Sequence, residues 1–271
     1  MLKDFFGIQI SEGTIDNLLE RTTQKAMPVY LLIQKKIQQN QVVGSDETGT
    51  SFGGRKGWFH TWQTRNLTFI VASLNRGYKT VVQYFSEGFP QSVYVSDCWA
   101  AQLKVPALQH QLCIAHLLRE LNNFEDALSC KWSTSMKALL IDAIKLKKQL
   151  TKQDYVIPNI EVLQMEERLD RIIIEQDKSN PNKKVKAFIQ RMIKNRNSIF
   201  TFLYHQHVPP DNNASEQAIR NVKVKAKVSG QFRADRGATR FAVIRSVIDT
   251  TIKNTQNIFE ALNLILYSVP E

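Results

Sequence analysis

Three acidic residues lie where carboxylates can act together on a phosphate ester. Asp46 stands in "GSDETG" and ends a short apolar run, Asp97 ends the run "QSVYVSD", and Glu216 opens a helical pattern in "DNNASEQAIR". Two carboxylates on neighbouring strand ends repel each other unless a cation lies between them. Hard oxygen ligands suit Mg²⁺ or Mn²⁺, and a third acid on a facing helix completes a site for two ions. The pattern therefore predicts metal-dependent phosphoryl transfer.

Each acid also has an ordinary structural interpretation. Asp46 is typical of a turn before a glycine, and Asp97 is placed to cap a following helix. Glu216 with Asn213 resembles a capping box at a helix start. Glu47 adjoins Asp46, but strand alternation directs its side chain to the opposite face, so we do not predict it as a ligand. Spacing alone leaves both interpretations of the three acids open.

The chain carries an excess of positive charge. It has 271 residues, with 36 Lys and Arg against 25 Asp and Glu and a formal net charge of +11. Most of the excess lies in the C-terminal third, in "NKKVKAFIQRMIKNR", "RNVKVKAK" and "FRADRGATR". Such clusters favour a nucleic acid as partner. A basic surface that only keeps the protein soluble is the alternative.

The cations nearest Glu216 have a regular spacing. Lys223, Lys225 and Lys227 alternate with apolar residues, and an extended segment would place all three on one face along a DNA backbone. A solvated strand edge protected by lysines is the alternative. Arg220 lies one helical turn beyond Glu216, and it can pair with that acid or reach a phosphate.

Several classes of protein are excluded by composition. The sequence has no apolar run near the roughly 18 to 20 residues of a membrane span, and its first residues do not resemble a signal peptide. Cys98, Cys113 and Cys130 are too few for a disulfide framework. "CIAH" offers one close ligand pair where structural zinc sites have two, so zinc is not favoured. We expect a cytoplasmic protein with no membrane partner.

The hydrophobic pattern predicts an α/β fold. Residues 1–40 read as a helical segment with Ser11 as a cap, either a helix-turn-helix pair or two amphipathic helices on the core. Three short runs after residue 41 predict an antiparallel meander. A helix is then predicted at "RGYKTVVQYFSEG" and a strand at "QSVYVSD". A second helix is predicted at "CWAAQLKV" and a further strand at "LQHQLCIAH". The domains that we predict are 1–40, a core over 41–130, a helical insertion over 131–205, and a C-terminal part over 206–271 that carries the third acid.

Longer motifs carry a resemblance to a known family. Five motifs resemble the catalytic region of the insertion sequence 66 family of DDE transposases. They are "SDETG", "YVSDCWAAQ", "QLCIAHLLREL", "PPDNNASEQAIRNVKVKAKVSGQFR" and "GATRFAVIRSVIDT". The resemblance implies a ribonuclease H-like mixed sheet flanked by helices, with Asp46, Asp97 and Glu216 as an acidic triad that holds Mg²⁺ or Mn²⁺, two ions in all. It implies cleavage at transposon ends and strand transfer into target DNA.

The resemblance also suggests neighbours and partners of that site. It favours His116 and Arg119 as active-site neighbours, with a packed core histidine as the alternative for His116. Residues in the long motif are further candidates for contacts with DNA or the active site: Asn212, Asn213, Arg220, Lys223, Lys225, Lys227 and Arg233. Double-stranded DNA is the expected partner, with a homo-oligomer and proteins encoded by the same mobile element as further partners.

Family members carry an upstream cysteine-rich module that this sequence lacks, which leads us to expect a truncated element, a fragment or a split gene. Two other functions stay open from the sequence. One is a ribonuclease H-like nuclease that only hydrolyses, and the other is a repurposed protein that binds DNA without catalysis.

Overall fold

The structure is a computed structural model. It describes residues 2–128, 131–157, 159–175 and 182–267. The chain divides into two compact units. The first unit comprises Met1–Gln39, Glu47–Tyr84 and Ser215–Glu271, and the second comprises Asn40–Asp46 and Phe85–Ala214. Cys130 lies outside the described residues, and the domain boundaries predicted above stay predictions.

Five strands form one sheet in the order β3-β2-β1-β4-β5. Their bounds are β1 (Val42–Phe52), β2 (Arg55–Gln63), β3 (Thr68–Ser73), β4 (Phe89–Ser96) and β5 (Ala107–Leu112). β4 pairs in parallel with both β1 and β5, whereas β2 and β3 are antiparallel. The predicted mixed α/β sheet is therefore confirmed, and it is consistent with a ribonuclease H-like fold.

Helices occupy most of the remaining chain. They are α1 (Leu2–Phe6), α2 (Glu12–Gln38), α3 (Tyr78–Tyr84), α4 (Ile114–Leu128), α5 (Lys131–Gln149), α6 (Ile160–Ile174), α7 (Lys183–Lys194), α8 (Thr201–Tyr204), α9 (Asn213–Ser229), α10 (Asp235–Lys253) and α11 (Ile258–Tyr267). Ser11 caps α2 as predicted, because its Oγ accepts a hydrogen bond of 3.0 Å from the Thr14 amide. Within the described part of the chain, no helix has both the length and the apolar content for crossing a membrane.

Three predicted elements differ from the structure. The predicted helix "CWAAQLKV" is wrong, because residues 99–105 form successive turns. The last part of the helical insertion predicted over 131–205 is not one continuous helix, because it is divided into α7, a 3-10 turn at Arg196–Ser198 and α8. β1 continues through Phe52, so Asp46 lies inside this strand and does not end it.

The edge strand of the first unit, β3, is covered by side chains from two helices. The Thr68 and Ile70 amides donate to hydroxyls of α10, at 3.0 Å to Thr250 Oγ1 and 2.8 Å to Ser246 Oγ. The Ile70 carbonyl accepts from the Tyr30 hydroxyl of α2 at 2.9 Å. Two residues of a strand and one turn of a helix both advance by about 6 Å, so successive hydroxyls of α10 lie opposite alternate amides of β3. The edge is thereby closed to pairing with another strand.

A salt-bridge cluster joins α2 to α10 in the same unit. The Arg240 side chain is 9% exposed, and its Nη1 donates to Asp16 Oδ1 at 2.5 Å. Its Nε donates to Glu20 Oε2 at 2.6 Å. Two carboxylates on one guanidinium satisfy the donors that burial takes from water. Arg240 therefore holds the start of α2 on α10.

The second unit has an extended apolar core. Buried residues of β4, β5 and α4–α8 contribute to it, and they include Val93, Val95, Leu112, Leu117, Leu121, Met136, Leu139, Leu169, Phe188 and Phe202. Gln111 lies inside this core and its amide groups are paired. Its Nε2 donates to the Ile199 carbonyl at 3.0 Å, and its Oε1 accepts from the Phe202 amide at 2.7 Å. Backbone groups that would be unsatisfied at the start of α8 are bonded in this way.

We expect Gly57→Ala to destabilise the protein by about 1 to 3 kcal/mol. A Cβ at Gly57 would stand 2.4 Å from two ring carbons of Phe52, whose side chain is buried in an aromatic cluster and cannot move away. Gly237→Ala is the matched control, because a Cβ there meets no atom within 4 Å. Since Gly237 is helical, alanine should be neutral or stabilising by up to about 1 kcal/mol. Equal free energies of unfolding for the two variants, measured in urea, would contradict this packing.

We also expect one histidine to lower stability in acid. Burial lowers the pKa of His60 from 6.5 to about 4, while its ring hydrogen bond of 2.9 Å with the Asn75 carbonyl opposes that shift. The folded state then binds fewer protons than the unfolded state between pH 6.5 and 4, so stability falls as pH falls through this window. The loss between pH 7 and pH 5 is about 2 kcal/mol. Unfolding at both pH values should show a smaller loss for His60→Gln than for wild type, whereas His207→Gln, an exposed control, should match wild type.

Candidate active site

The two aspartates lie on neighbouring parallel strands of the second unit. The register pairs Val42 with Val93 and Gly44 with Val95, so the same register continued by two residues brings Asp46 opposite Asp97. Neighbouring strands are about 4.8 Å apart, and side chains opposite each other leave the sheet on the same face. Both residues are half-buried. The first and fourth strands are therefore neighbours in the sheet, which is the arrangement that a metal site shared by the two aspartates requires.

Backbone turns hold Asp97 in place. Its Oδ1 accepts a hydrogen bond of 2.9 Å from the Trp99 amide, and the Trp99 carbonyl accepts from the amides of Gln102 and Leu103. The Tyr94 hydroxyl of β4 donates to Gln102 Oε1 at 2.7 Å, which ties the turns back to the strand. Asp97 thus caps a turn where the sequence predicted a helix cap. That cap uses one carboxylate oxygen, and a carboxylate has a second oxygen for a metal.

Cys113 follows β5 and lies next to Asp97 in the register of the sheet. β4 and β5 pair Ser96 with Leu112, so the next pair in this register is Asp97 with Cys113, and the Cys113 amide donates to the Ser96 carbonyl at 2.8 Å. Cys113 is buried and accepts a hydrogen bond of 3.2 Å from the Asn212 amide at its Sγ. Burial raises the pKa of the neighbouring Cys98 to about 12, so that residue stays a thiol at neutral pH.

Within the second unit, the segment before α9 is hydrogen-bonded to residues that adjoin Asp46 and Cys113. The Pro210 carbonyl accepts from the Ile114 amide at 2.9 Å. Asn212 is 2% exposed, and its Nδ2 donates to the carbonyl of Ser45, the residue before Asp46, at 2.6 Å. The Asn213 amide donates to Asp211 Oδ1 at 3.0 Å. These bonds fix the point at which the chain leaves for α9.

Glu216 lies in the first turn of α9, as predicted, and is half-buried. It follows Asn212 by four residues. A carboxylate in the first turn is favoured by the partial positive charge of the helix N-terminus. Arg220, one turn further on, is exposed.

The chain has been compared with protein families and with curated proteins. A family model described as the transposase IS66 family matches residues 1–240 of the 271-residue chain. The chain belongs to the IS66 family of transposases. Membership implies a role in DNA transposition, with DNA as the substrate and divalent metal ions in use. No curated protein matches the chain.

The lysine row of this IS66 transposase is not extended, which corrects the sequence-based expectation. Lys223, Lys225 and Lys227 all lie in α9, where residues two apart are about 200° apart around the axis. Lys223 and Lys227 are exposed and one turn apart, whereas Lys225 turns back on the helix end. Its Nζ lies 3.1 Å from the Gly230 carbonyl and 3.9 Å from the centroid of the Phe232 ring. Only two of the three lysines therefore share a face.

The helix continues here because its buried residues keep a helical spacing. Ala218, Ile219 and Val222 are buried, whereas Val224 and Val228 are 53% and 80% exposed. The alternation of lysine and valine therefore does not reflect two faces of a strand. Gly230, with φ of +70°, ends the helix in the left-handed conformation that favours glycine.

The remaining candidates lie at defined places. His116 is half-buried in the first turn of α4, and Arg119, one turn later, is exposed with its Nε 3.3 Å from the Ala115 carbonyl. Arg233 is exposed and follows Phe232, whose backbone bonds to Ser51 and Gly53. A role in catalysis or DNA binding for these three residues stays a prediction.

Glu47, which we did not predict as a ligand, forms an ion pair in the first unit. Its Oε1 lies 3.0 Å from Arg76 Nη2, and its side chain is 2% exposed. The Arg76 guanidinium lies 4.8 Å from the centroid of the Trp58 ring. The Glu47 carboxylate is therefore engaged in a salt bridge with Arg76.

Sequence reasoning missed part of the support of the site. The bond from Asn212 to Ser45 joins positions 167 residues apart, and no local pattern indicates it. The Asp211 contact had a signal, because "PDNN" is typical of a turn in which an aspartate accepts from the amide two residues on. The alignment of Cys113 with Asp97 depends on strand register, which the sequence does not reveal.

We expect Asn212→Ala to destabilise the protein by about 1 to 3 kcal/mol, since it leaves the buried Ser45 carbonyl without this donor. Asn213→Ala is the matched control, because Asn213 is exposed and its bond to Asp211 uses the backbone amide. Its effect should stay within about 0.5 kcal/mol. Denaturant unfolding of both variants measures the difference. A control that loses as much stability as Asn212→Ala would contradict the role given to the buried amide.

Proposed function

We propose that the chain is a DDE-type transposase that cleaves DNA at transposon ends and transfers the strand to target DNA. In this proposal Asp46, Asp97 and Glu216 form the acidic triad. The register that brings Asp46 opposite Asp97 carries the proposal. The family match supports DNA as the substrate.

The donor set of the two aspartates fits a hard divalent cation. Adjacent carboxylates repel each other, and a cation shared between them removes that repulsion. Oxygen ligands favour Mg²⁺ or Mn²⁺, and the proposal has two ions, with Glu216 as the third carboxylate. Such ions supply neutralisation of charge at the phosphate and activation of the attacking hydroxyl.

The protein holds the two aspartates and the start of the segment that leads to Glu216. Asp46 lies within β1, which has a strand on either side, and Asp97 is held by the Trp99 amide. The bonds of Pro210 and Asn212 fix the start of the segment that leads to Glu216. Ligands held by packing and hydrogen bonds keep the geometry that in-line phosphoryl transfer needs.

Exposed cations would bind the substrate. Lys223 and Lys227 share a face of α9, and Arg220 and Arg233 are exposed in the same motif. Their positive charge suits the phosphate backbone, and binding through them should weaken as salt increases. His116 and Arg119 are proposed to contact phosphate or to orient a carboxylate. Lys225 is excluded from this set by its contacts with Gly230 and Phe232.

We expect three single variants, Asp46→Asn, Asp97→Asn and Glu216→Gln, to cleave a transposon-end duplex at least about 100-fold more slowly than wild type in the presence of metal. Each variant loses a charged metal ligand that is worth several kcal/mol in the transition state. DNA affinity without metal should stay within about threefold of wild type, since every cation that faces a phosphate is kept. Asp126→Asn, an exposed acid on α4, is the control and should cleave normally. Normal cleavage by any of the three variants would remove that acid from the triad.

The same assay separates strand transfer from simple hydrolysis. A labelled transposon-end duplex incubated with Mg²⁺ and target DNA should yield joined products. Cleaved ends with no joined product would favour a ribonuclease H-like nuclease, and retained DNA binding with no cleavage would favour a repurposed binding protein.

A further inference from the structure

One face of α7, in the second unit, is basic. Lys183, Lys186 and Lys194 are exposed and fall within an arc of about 80° at 100° per residue. We call these three residues the α7 lysine stripe. Exposed Gln190 lies in the same arc, and the helix has no acidic residue. The opposite face is buried, and it consists of Val185, Phe188, Ile189 and Met192.

The helix that carries the stripe is firmly held. Arg191 Nη2 lies 2.7 Å from each carboxylate oxygen of Glu120 on α4. The Phe188 ring packs edge-on against Phe124 and Trp132, at centroid distances of 5.5 and 6.1 Å. The only arginine of α7 is thus used to orient the helix, and the stripe faces away from the core with a fixed direction.

Local stability explains only part of the α7 lysine stripe. Lys183 lies in the first turn of α7, where the helix dipole disfavours a cation. Lys183 and Lys186 are three residues apart, a spacing at which like charges are neighbours. Within the ranges that the structure describes, none of the three lysines forms an ion pair, whereas Arg191 does. Lys194 lies in the last turn, where the dipole favours a cation, so local interactions within α7 leave Lys183 and Lys186 without an explanation.

The chemistry of this face fits a phosphate backbone. Protein interfaces have apolar and aromatic residues at their centre, whereas the centre of this arc is Gln190 and the apolar Ile193, 40% exposed, lies outside its edge. A helix that lies in a membrane inserts its apolar face, but that face of α7 is in the core. Lys183 and Lys194 are about 16 Å apart along the axis, at 1.5 Å per residue. That span equals the rise of about five base pairs of duplex DNA, at 3.4 Å per pair.

We propose that the α7 lysine stripe binds the backbone of duplex DNA, as a contact surface separate from the metal-binding acids. This inference rests on the proposed function to the extent that duplex DNA is the substrate. It assigns α7 a part in holding DNA during the reaction.

The test compares two variants of the full chain that have the same reduction in charge. The stripe variant is Lys183→Gln, Lys186→Gln and Lys194→Gln. The control variant is Lys35→Gln, Lys148→Gln and Lys152→Gln, three exposed lysines on α2 and around the end of α5. Fluorescence anisotropy of a labelled 30-base-pair duplex measures affinity between 50 and 300 mM KCl. EDTA is present, so the result does not depend on metal binding or on cleavage.

The slope of log affinity against log salt concentration falls in magnitude by about 1 for each phosphate that the protein no longer neutralises. We therefore expect the slope of the stripe variant to be smaller than that of wild type by about 3. The control variant should keep nearly the wild-type slope. Equal changes in the two variants would overturn the proposal, because net charge alone would then explain binding. It would also be overturned if the stripe variant kept full DNA binding but lost binding to vesicles that contain phosphatidylserine. Loss of cleavage in the triad variants leaves this result unaffected, so the two proposals fail separately.

Discussion

The in-register parallel pairing of β1 with β4 is the constraint on which the proposed chemistry depends. Both strands lie inside the sheet, and each has a hydrogen-bonded neighbour on either side. A shift of one residue would send every side chain of a strand to the other face, so burial of Val43, Val93 and Val95 also fixes the face of the carboxylates. Packing of apolar residues thus sets the position of Asp46 and Asp97.

Two features of the molecule oppose local stability, and both suit a metal-dependent DNA enzyme. In the proposed site, the carboxylates of Asp46 and Asp97 would repel each other without a cation. Lysines on the first turn of α7 oppose the helix dipole. Local rules are broken most often where function requires it. Elsewhere the fold follows those rules closely, as in the Ser11 cap of α2 and the hydroxyl ladder that covers β3.

Much of the fold was predictable because short-range patterns determine it. The short strand-like runs indicated β2, β3 and β4, and the helical insertion predicted over 131–205 contains α5 and α6. The predicted helix after Asp97 was wrong because Gln102 bonds to Tyr94 and stabilises turns, a contact that propensity does not reveal. The lysine alternation suggested a strand because Val224 and Val228 have the spacing of one apolar strand face, yet both are exposed in a helix. Register and long-range bonds, such as Asn212 to Ser45, depend on how the whole chain packs.

Asp46 and Asp97 sharing a divalent ion is the central claim. Crystals grown with Mn²⁺ and measured at a wavelength where manganese scatters anomalously test it most directly, because the ion is located without reference to activity. We expect an anomalous peak about 2.0 to 2.2 Å from an oxygen of each aspartate, near the distances of hard divalent ions. A peak that contacts neither aspartate, or carboxylates that point to opposite faces of the sheet, would contradict it.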